Sequence, residues 1–280
     1  MPEVNHTLNS FAGELVVVKY GGSFMDSPDP AVREGVARDL IALQTAGIRP
    51  VVVHGGGKAI TRAMEKAGLK AAFVQGMRVT DDATVQVVDQ VLSHEINPEI
   101  VATINRLGGK ARGFPGPEIF RCRKLWLQDP MGEKIDIGFV GDVTTANVEL
   151  VRQSISDGCI PVISPTASSA DHHIYNCNAD VAAAQAAIAL KSKRLIFMSD
   201  VPGLLRDPKA PESLISQISA NEVSGLKRSG VIDKGMIPKV DSAIAAFNAG
   251  VEKVLFVDGR DPSVLLKVFS SHGPGGTRIV

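Results

Sequence analysis

Short runs of aliphatic residues alternate along this chain with longer segments in which apolar residues recur every three or four positions. The short runs predict buried β-strands at 15–19, 50–54, 159–164, 194–199 and 253–257. The longer segments predict helices at 30–45, 59–67, 148–157, 180–190, 238–249 and 262–269. Repeated strand–helix–strand units of this kind predict a mainly parallel sheet with helices on both faces.

Three regions follow a less regular pattern. Residues 81–107 predict one long or broken helical region, with Asn97-Pro98 at the break. Residues 108–139 combine glycines, prolines and short alternating pieces, which predicts hairpins rather than core strands. The polar residues 168–175 predict another hairpin. We place a hinge after residue 165, between an N-terminal lobe (1–175) and a C-terminal lobe (176–280).

Composition narrows the class of protein. The 280 residues include 30 basic and 30 acidic side chains, so no net charge draws the chain to nucleic acid or anionic lipid. Three cysteines without CxxC spacing argue against a disulfide framework or a zinc site. The segment 1–14 resembles no targeting segment, and the best apolar stretch (181–190) is shorter than the roughly 20 residues that cross a bilayer. We therefore expect a globular cytoplasmic protein.

Five short motifs carry the candidate chemistry, and the glycine-rich ones follow predicted strands. They read Lys19-Tyr20-Gly21-Gly22-Ser23, Val53-His54-Gly55-Gly56-Gly57, Gly76-Met77-Arg78-Val79-Thr80, Asn176-Cys177-Asn178-Ala179-Asp180 and Gly235-Met236-Ile237-Pro238-Lys239. Backbone N–H groups at strand-to-helix turns form cradles for anions. The carboxyl ends of parallel strands share one edge of a sheet, so we expect these turns in one cleft. The motifs predict an enzyme that handles phosphate.

Two better-known phosphate motifs are missing from the sequence. GxxxxGK[ST] does not occur, and the segment 55–60 lacks the third glycine of GxGxxG. A P-loop enzyme and a dinucleotide-binding protein are therefore disfavoured.

Taken together, the motifs resemble those of the amino acid kinase superfamily and, within it, of the N-acetyl-L-glutamate kinases. The similarity runs from about Leu15 to the C-terminus, and its specific parts are VVHGGG, GMRVTD, NCNAD, SDVPGL and GMIPKV. It implies an α/β fold, an open three-layer αβα sandwich with a central, mainly parallel sheet. It also implies transfer of the ATP γ-phosphoryl group to the side-chain carboxylate of N-acetyl-L-glutamate, in arginine biosynthesis. Mg²⁺ would bind to the ATP phosphates, with few or no protein ligands.

The resemblance assigns catalysis to Lys19, Lys239 and Asp180. A carboxylate with a pKa near 4.3 is already ionised at neutral pH, so the reaction needs no general base. Its difficulty is the approach of an anion to a polyphosphate, which positive charge relieves. Lys19 and Lys239 would supply that charge, and Asp180 would hold both lysines. Alternatively, Lys19 is a solvated lysine at a strand end and Asp180 caps a helix that begins at Val181.

Substrate contacts are implied in the same way. The N–H groups of Gly56 and Gly57, the Arg78 guanidinium and the Asn176 amide would bind the acyl amino acid. In an extended segment Asn176 would share one face with Asp180. The nucleotide would contact Gly21, Gly22, Ser23, Asp200, Val201, Pro202, Gly203, Leu204, Leu205, Val231, Ile232 and Asp233. His54 fits a structural role beside the glycines better than a catalytic one.

The chain departs from the family at some positions. Residues 114–118 (FPGPE) stand where many members carry LSGKD, so a sister kinase for an aminoadipate derivative or aspartate stays open. A non-catalytic amino-acid sensor on the same fold is a third reading.

The resemblance also implies a homodimer that contacts through N-terminal helices, at 59–67 or 81–107. Ser263 and Lys267 replace a His and a Glu of the arginine-inhibited members, and only a short segment precedes the first strand, so we expect insensitivity to arginine.

Overall fold

The computed structural model describes residues 8–21, 25, 27, 29–207, 209–232, 235–270 and 275–280. Within these ranges the strands are β1 (Leu15–Tyr20), β2 (Arg49–His54), β3 (Phe73–Val74), β4 (Met77–Arg78), β5 (Ala111–Phe114), β6 (Phe120–Gln128), β7 (Lys134–Ala146), β8 (Ile160–Ile163), β9 (Thr166–Ser168), β10 (Ile174–Cys177), β11 (Arg194–Ser199), β12 (Gln217–Ile218), β13 (Lys253–Asp258) and β14 (Thr277–Ile279).

The described helices are distributed along the whole chain. They are α1 (Pro30–Thr45), α2 (Gly57–Lys66), α3 (Asp82–Asp89), α4 (Asn97–Arg106), α5 (Gly116–Ile119), α6 (Glu149–Ser156), α7 (Ala179–Leu190), α8 (Ala220–Arg228), α9 (Ile237–Asn248) and α10 (Val264–Lys267). A π-helical segment, Gln90–Ile96, joins α3 to α4, and a 3₁₀ turn spans Pro211–Ser213. No described helix is both long enough and apolar enough to cross a membrane.

Eight of the described strands form the main sheet, in the order β12-β14-β13-β11-β1-β2-β8-β5. Neighbouring strands are parallel except β13 and β14, which are antiparallel. β1 lies in the middle, since it pairs with β2 on one side and with β11 on the other. The strands that follow β1 in sequence are first added on its β2 side, and β11 and later strands are added on its other side. Ligands bind at such a point of reversal in open α/β sheets.

Helices cover both faces of this sheet. Along β1, Val16 and Val18 pack into one hydrophobic cluster, together with residues of α1, α4 and α10. Val17 points the other way, into a cluster that includes residues of α6, α7 and α9. The two clusters follow the two-residue period of a strand whose faces are both buried. This is the three-layer sandwich that the sequence predicted.

A second, smaller sheet lies beside the main one. β6, β7, β9 and β10 close into a barrel, in which β6 and β7 form a long antiparallel hairpin. β3 and β4 form a short separate hairpin. The barrel reaches the main sheet through β10, which leads directly into α7.

The structure corrects several local expectations. β5 belongs to the main sheet, as its edge strand beside β8, although glycines and prolines around it predicted only hairpins. The break in residues 81–107 is the π-helical segment, which ends where Asn97-Pro98 begins α4. α8 was not predicted, and α10 is shorter than the segment 262–269. The remaining predicted strands and helices are confirmed to within a few residues.

Candidate active site

A cavity of about 420 Å³ opens at the carboxyl edge of the main sheet, next to the barrel. Strand ends and helix starts from distant parts of the chain meet here. Among the residues that line it are seven of the predicted site residues: Lys19, Gly21, Gly56, Gly57, Arg78, Asn176 and Asp180. Pro238, the neighbour of Lys239, lines it as well. The expectation that the motifs share one cleft is thus met for these residues.

Lys19 and Asp180 form an ion pair at the base of the cavity. Lys19 Nζ lies 3.1 Å from Asp180 Oδ1, with side-chain exposures of 12 % and 13 %. Gly21 makes room for this conformation, because a Cβ at Gly21 would lie only 2.7 Å from Lys19 Nζ. The lysine therefore folds back over the glycine that follows its strand.

Asp180 lies in the first turn of α7 and does not cap it. β10 ends at Cys177, and Asn178 is the N-cap, whose Oδ1 accepts the Asp180 N–H at 2.8 Å. The sequence suggested that Asn176 and Asp180 share one face of an extended segment. They do not, because the strand ends between them. The cap resolves the alternative reading of Asp180, because Asn178 satisfies the helix end and leaves the Asp180 carboxylate for Lys19.

Lys239 lies on the first turn of α9. Burial is the main cause that lowers the pKa of Lys239, and the charge of Lys19 lowers it too. The carboxylates of Asp180 and Asp200 act in the opposite direction and raise the pKa. Among the described residues Lys239 has no ion-pair partner within 4 Å, so Asp180 directly contacts Lys19 and not both lysines. Lys19 and Lys239 repel each other, and an anion placed between the two lysines would relieve that repulsion.

The turn between β2 and α2 presents backbone donors to the same cavity. The Gly55 N–H continues the sheet by donating to the Tyr20 carbonyl at 2.7 Å, and the Gly56 carbonyl accepts the Ile60 N–H at 3.0 Å. The N–H groups of Gly56 and Gly57 have no hydrogen-bond partner among the described residues, as is usual where a helix begins. A Cβ at Gly56 would lie 2.6 Å from side-chain atoms of Leu92 and Ile96. A larger residue at position 56 would require these two side chains to shift.

Arg78 lies buried at the end of β4, with its guanidinium already engaged. Its Nη2 donates to the Gly57 carbonyl at 3.0 Å and to Thr61 Oγ1 at 2.8 Å. Its Nη1 lies 3.2 Å from Met64 Sδ, and the ring of Phe73 is 4.8 Å from Cζ. Burial lowers the pKa of Arg78. Of the five N–H groups of the guanidinium, the Nε–H and one on Nη1 remain for a ligand. A guanidinium without these contacts would offer all five.

Asn176 lines the cavity from β10. Its Nδ2 donates to Thr80 Oγ1 at 3.2 Å, and Thr80 Oγ1 donates to the Arg78 carbonyl at 2.9 Å. This chain of bonds sets the orientation of the amide. Asn176 Oδ1 makes no hydrogen bond among the described residues and is available to a donor on a ligand.

The residues predicted to contact the nucleotide lie in several different places. Gly22, Ser23 and Asp233 lie outside the described residues. Leu204 and Ile232 are buried in the hydrophobic core and line neither this cavity nor the one that adjoins it. Asp200 lines that adjoining cavity of about 250 Å³ with Tyr20, Arg33 and Lys58, and this cavity shares Gly56 and Gly57 with the first one. The loop that follows β11 contains Val201, Pro202, Gly203 and Leu205, and none of these residues lines either cavity. Val231 packs against the hydrophobic core.

Other residues of the cavity wall were not predicted. Leu125, Val140, Gly141 and Asp142 come from the β6–β7 hairpin, and Asn178 comes from the cap of α7. The spacing of NCNAD was a signal for Asn178. Nothing local marks the hairpin residues, because they reach the cavity only through closure of the barrel. In the described part of the chain no group of three or more His, Cys, Asp or Glu side chains could hold a metal ion.

Comparisons with known proteins agree with this geometry. The profile of the amino acid kinase family matches residues 14–258. An acetylglutamate kinase of Akkermansia muciniphila is 43% identical over 270 residues, 96% of this chain and 90% of that protein. One of Heliobacterium modesticaldum is 44% identical over 275 residues, 96% and 92% of the two chains. The structure of smu.665 from Streptococcus mutans has a TM-score of 0.78 at 26% identity, covering 95% of this chain and 98% of that one. The family match over most of its length shows that this chain belongs to the amino acid kinase family.

Proposed function

We propose that this protein transfers the γ-phosphoryl group of ATP to the side-chain carboxylate of N-acetyl-L-glutamate, forming an acyl phosphate in arginine biosynthesis. The observation that carries the proposal is the cavity lined by the Lys19–Asp180 pair and by Gly56 and Gly57 with their unbonded N–H groups, with Lys239 close enough to Asp180 and Lys19 to interact with their charges. Curated relatives that are 43% and 44% identical over 96% of the chain are acetylglutamate kinases, which supports this acceptor.

Catalysis in this proposal rests on charge and alignment. The acceptor carboxylate is ionised at neutral pH and attacks the γ-phosphorus without a general base, and the bond from that phosphorus to the β–γ bridging oxygen breaks. Lys19 neutralises oxygens between the acceptor and the γ-phosphoryl group. Lys239 stabilises charge on the leaving side. Asp180 keeps Lys19 in place and offsets the repulsion between the two lysines.

The acceptor occupies the part of the cavity between α2, β4 and the barrel. Arg78 provides its remaining N–H groups to the α-carboxylate, and Asn176 provides Oδ1 to the acetamido N–H. Leu125 and Val140, from the β6–β7 hairpin, give this part an apolar wall that suits the acetyl methyl group. Free aspartate would bring a charged ammonium group to that wall, which disfavours it as the acceptor.

We place ATP on the other side of the cavity, beside Gly21 and the loop that follows β11. Mg²⁺ is carried on the ATP phosphates, where its preference for oxygen ligands is met mostly by phosphate and water. In this assignment residues 1–175 bind mainly the acyl amino acid and residues 176–280 mainly the nucleotide.

We further propose that the protein is a homodimer and acts in the cytoplasm. β5 is an edge strand of the main sheet, and α4 packs beside it, so this side of the N-terminal lobe can extend into a second copy. The three cysteines are free and buried, which is consistent with a reducing compartment. Light scattering that gives the mass of a monomer would contradict the dimer.

A coupled assay of ADP release tests the reaction. N-acetyl-L-glutamate should support turnover, whereas N-acetyl-L-aspartate, L-aspartate and UMP should support little or none. The Lys239→Ala variant, purified in the same way, shows whether a contaminating kinase contributes. An acetylaminoadipate that outperforms acetylglutamate would favour the sister kinase. Binding of acetylglutamate without any ADP release would favour the non-catalytic sensor.

A further inference from the structure

His54 is a fully buried histidine at the end of β2, next to the glycine turn. Its Nδ1 lies 2.8 Å from the carbonyl oxygen of Gly55. A carbonyl can only accept, so Nδ1 carries the proton. Burial lowers the pKa of His54 to about 4, against the opposing effect of the Gly55 carbonyl. The ring is therefore neutral at pH 7, and its Nε2 is an acceptor.

Asn97 provides the donor that Nε2 needs. Its Nδ2 lies 3.3 Å from His54 Nε2 and 2.9 Å from the carbonyl oxygen of Val162 on β8. One amide group thus serves both acceptors with its two hydrogens. The opposite orientation would bring Asn97 Oδ1 against the Val162 carbonyl, so the bonds determine which way the amide points. A buried chain runs from Val162 through Asn97 and His54 to Gly55.

The chain ends on the peptide that joins Gly55 to Gly56. In a planar trans peptide the C=O and the following N–H point in opposite directions. With the Gly55 carbonyl bound to the buried ring, the Gly56 N–H points away from that ring. Gly55, Gly56 and Gly57 all line the cavity, whereas His54 does not. The bond to His54 thus aims the Gly56 N–H at the cavity.

The other carbonyls of this turn are bound in a similar way. The Gly56 carbonyl accepts the Ile60 N–H, and the Gly57 carbonyl accepts from Arg78. The Gly57 carbonyl is bound by Arg78, which lines the cavity, as well as by Thr61, whereas the side chain that binds the Gly55 carbonyl does not reach the cavity. The orientation of the Gly55 carbonyl can therefore be changed without altering a group that contacts substrate.

We propose that His54 and Asn97 are positioning residues, which hold the Gly55–Gly56 peptide so that its N–H donates to the transferred phosphoryl group. This inference rests on the proposed phosphoryl transfer. Donors that are aimed in advance at developing charge stabilise a transition state more than a bound ground state. If the Gly56 N–H is no longer held in this orientation, kcat should therefore fall more than the KM for either substrate changes.

Three variants test the role, with Ser93→Ala as the matched control. His54→Leu removes both ring nitrogens; His54→Asn keeps an N–H near the position of Nδ1; Asn97→Leu removes the support of the ring. Ser93 is buried in the adjoining π-helical segment, where its Oγ bonds to Asp89 and Ser164 but not to the glycine turn. It controls for the loss of a buried polar group.

We expect His54→Leu to lower kcat about 10- to 100-fold, less than or comparable to the loss of a whole oxyanion donor. Both KM values should stay within about threefold of wild type. Asn97→Leu should lower kcat by a smaller factor, and His54→Asn should recover most of the loss. By calorimetry, MgADP with aluminium fluoride and acetylglutamate should bind His54→Leu more weakly, while MgADP alone binds as to wild type.

Other outcomes would overturn the proposal. A folded His54→Leu with wild-type kcat, or a His54→Asn no more active than His54→Leu, would reject it. A loss in Asn97→Leu equal to that in Ser93→Ala would assign Asn97 to stability alone. If His54→Leu does not fold, His54→Asn and Asn97→Leu decide by their ratio of kcat to KM effects. A wild-type protein inactive with acetylglutamate would instead reject the proposed function, and this inference with it.

Discussion

The Lys19 ammonium lies 3.1 Å from the Asp180 carboxylate, although more than half of the chain separates the two residues in sequence. Both side chains are nearly buried, and each enters from the end of a different element, Lys19 from β1 and Asp180 from α7. Truncating one partner of a buried pair leaves an uncompensated charge. The pair therefore joins the centre of the sheet to the helix that carries the NCNAD motif, and it places one cation where the substrates meet.

Gly21→Ala should lower activity with little effect on stability. The new Cβ would lie 2.7 Å from Lys19 Nζ, the end of a flexible side chain that can shift at small cost to the fold. The displaced ammonium would then be misaligned, and a shift of about 1 Å can cost on the order of 100-fold in rate. We expect kcat to fall at least about 10-fold, as measured by the coupled assay.

The matched control for this variant is Gly225→Ala in α8, where an added Cβ meets no atom within 4 Å. It should keep wild-type activity. A Gly21→Ala protein with wild-type kcat would mean that Lys19 can act from a different position.

Lys239→Ala should reduce turnover by several orders of magnitude while the protein stays folded. Loss of a transition-state charge costs roughly 3–4 kcal/mol or more. Lys239 is partly buried without an ion-pair partner among the described residues, so its removal should not lower the free energy of unfolding in urea. Lys227→Ala is the control, because Lys227 pairs with Asp241 near the surface. Activity of Lys239→Ala within about threefold of wild type would exclude the catalytic role.

Arg78→Lys should raise the KM for acetylglutamate far more than the KM for ATP. A lysine keeps the charge but cannot hold the Gly57 carbonyl and Thr61 Oγ1 while it also reaches a carboxylate. Steady-state kinetics with each substrate varied in turn measures the two constants. The exposed Arg38, paired with Glu34 on α1, provides an Arg→Lys control. An equal rise in both constants would indicate that Arg78 shapes the cavity as a whole.

Asp39→Asn should change how stability depends on pH. Asp39 lies buried on α1, and its carboxylate accepts the Leu265 N–H at the start of α10 at 3.1 Å. Burial raises the pKa of Asp39 from 3.8 to about 6, although the N–H groups of Leu265 and Leu266 and the charge of Lys267 lower it, and Asp261 raises it. The folded protein thus binds a proton more tightly than the unfolded chain.

The sign of the effect follows from this difference. Asp39 is protonated in the folded state below about pH 6, and its contribution to stability falls as the pH rises from about 4 to 6. The fall amounts to at most about 3 kcal/mol. The asparagine of the variant does not titrate, so the stability of the variant relative to wild type should rise over this range and then level off. Urea unfolding at pH 4, 5, 6 and 7 measures the difference, and a constant difference would mean that Asp39 is already ionised at pH 4.

Local pattern was enough for much of the fold. β1, β2, β8, β11 and β13 are short aliphatic runs whose side chains are buried on both faces, and a continuous apolar run is the direct mark of such a strand. The anion-binding turn at Gly55–Gly57 could also be predicted from local sequence, because a glycine cluster between a strand and a helix leaves N–H groups without partners.

Contacts between distant segments needed the tertiary structure. β5 looks like a loop segment because glycines and prolines lie in and around it. Only its pairing with β8, which follows the β6–β7 hairpin in sequence, makes it a strand. The β6–β7 residues of the cavity wall also depend on closure of the barrel, and the strand partners of a barrel leave no local mark.

By itself the sequence determined the family, the cleft-forming turns and the charged residues that chemistry requires, because each of these is carried by a few adjacent side chains. Only the tertiary structure decided which of these side chains form ion pairs and hydrogen bonds with one another. Lys19 pairs with Asp180 and Lys239 does not, Arg78 is engaged by Gly57 before any substrate arrives, and His54 reaches Asn97 beneath the glycine turn. Hydrogen bonds and ion pairs depend on distances of a few ångströms, and those distances follow from how packed helices and strands bring remote residues together.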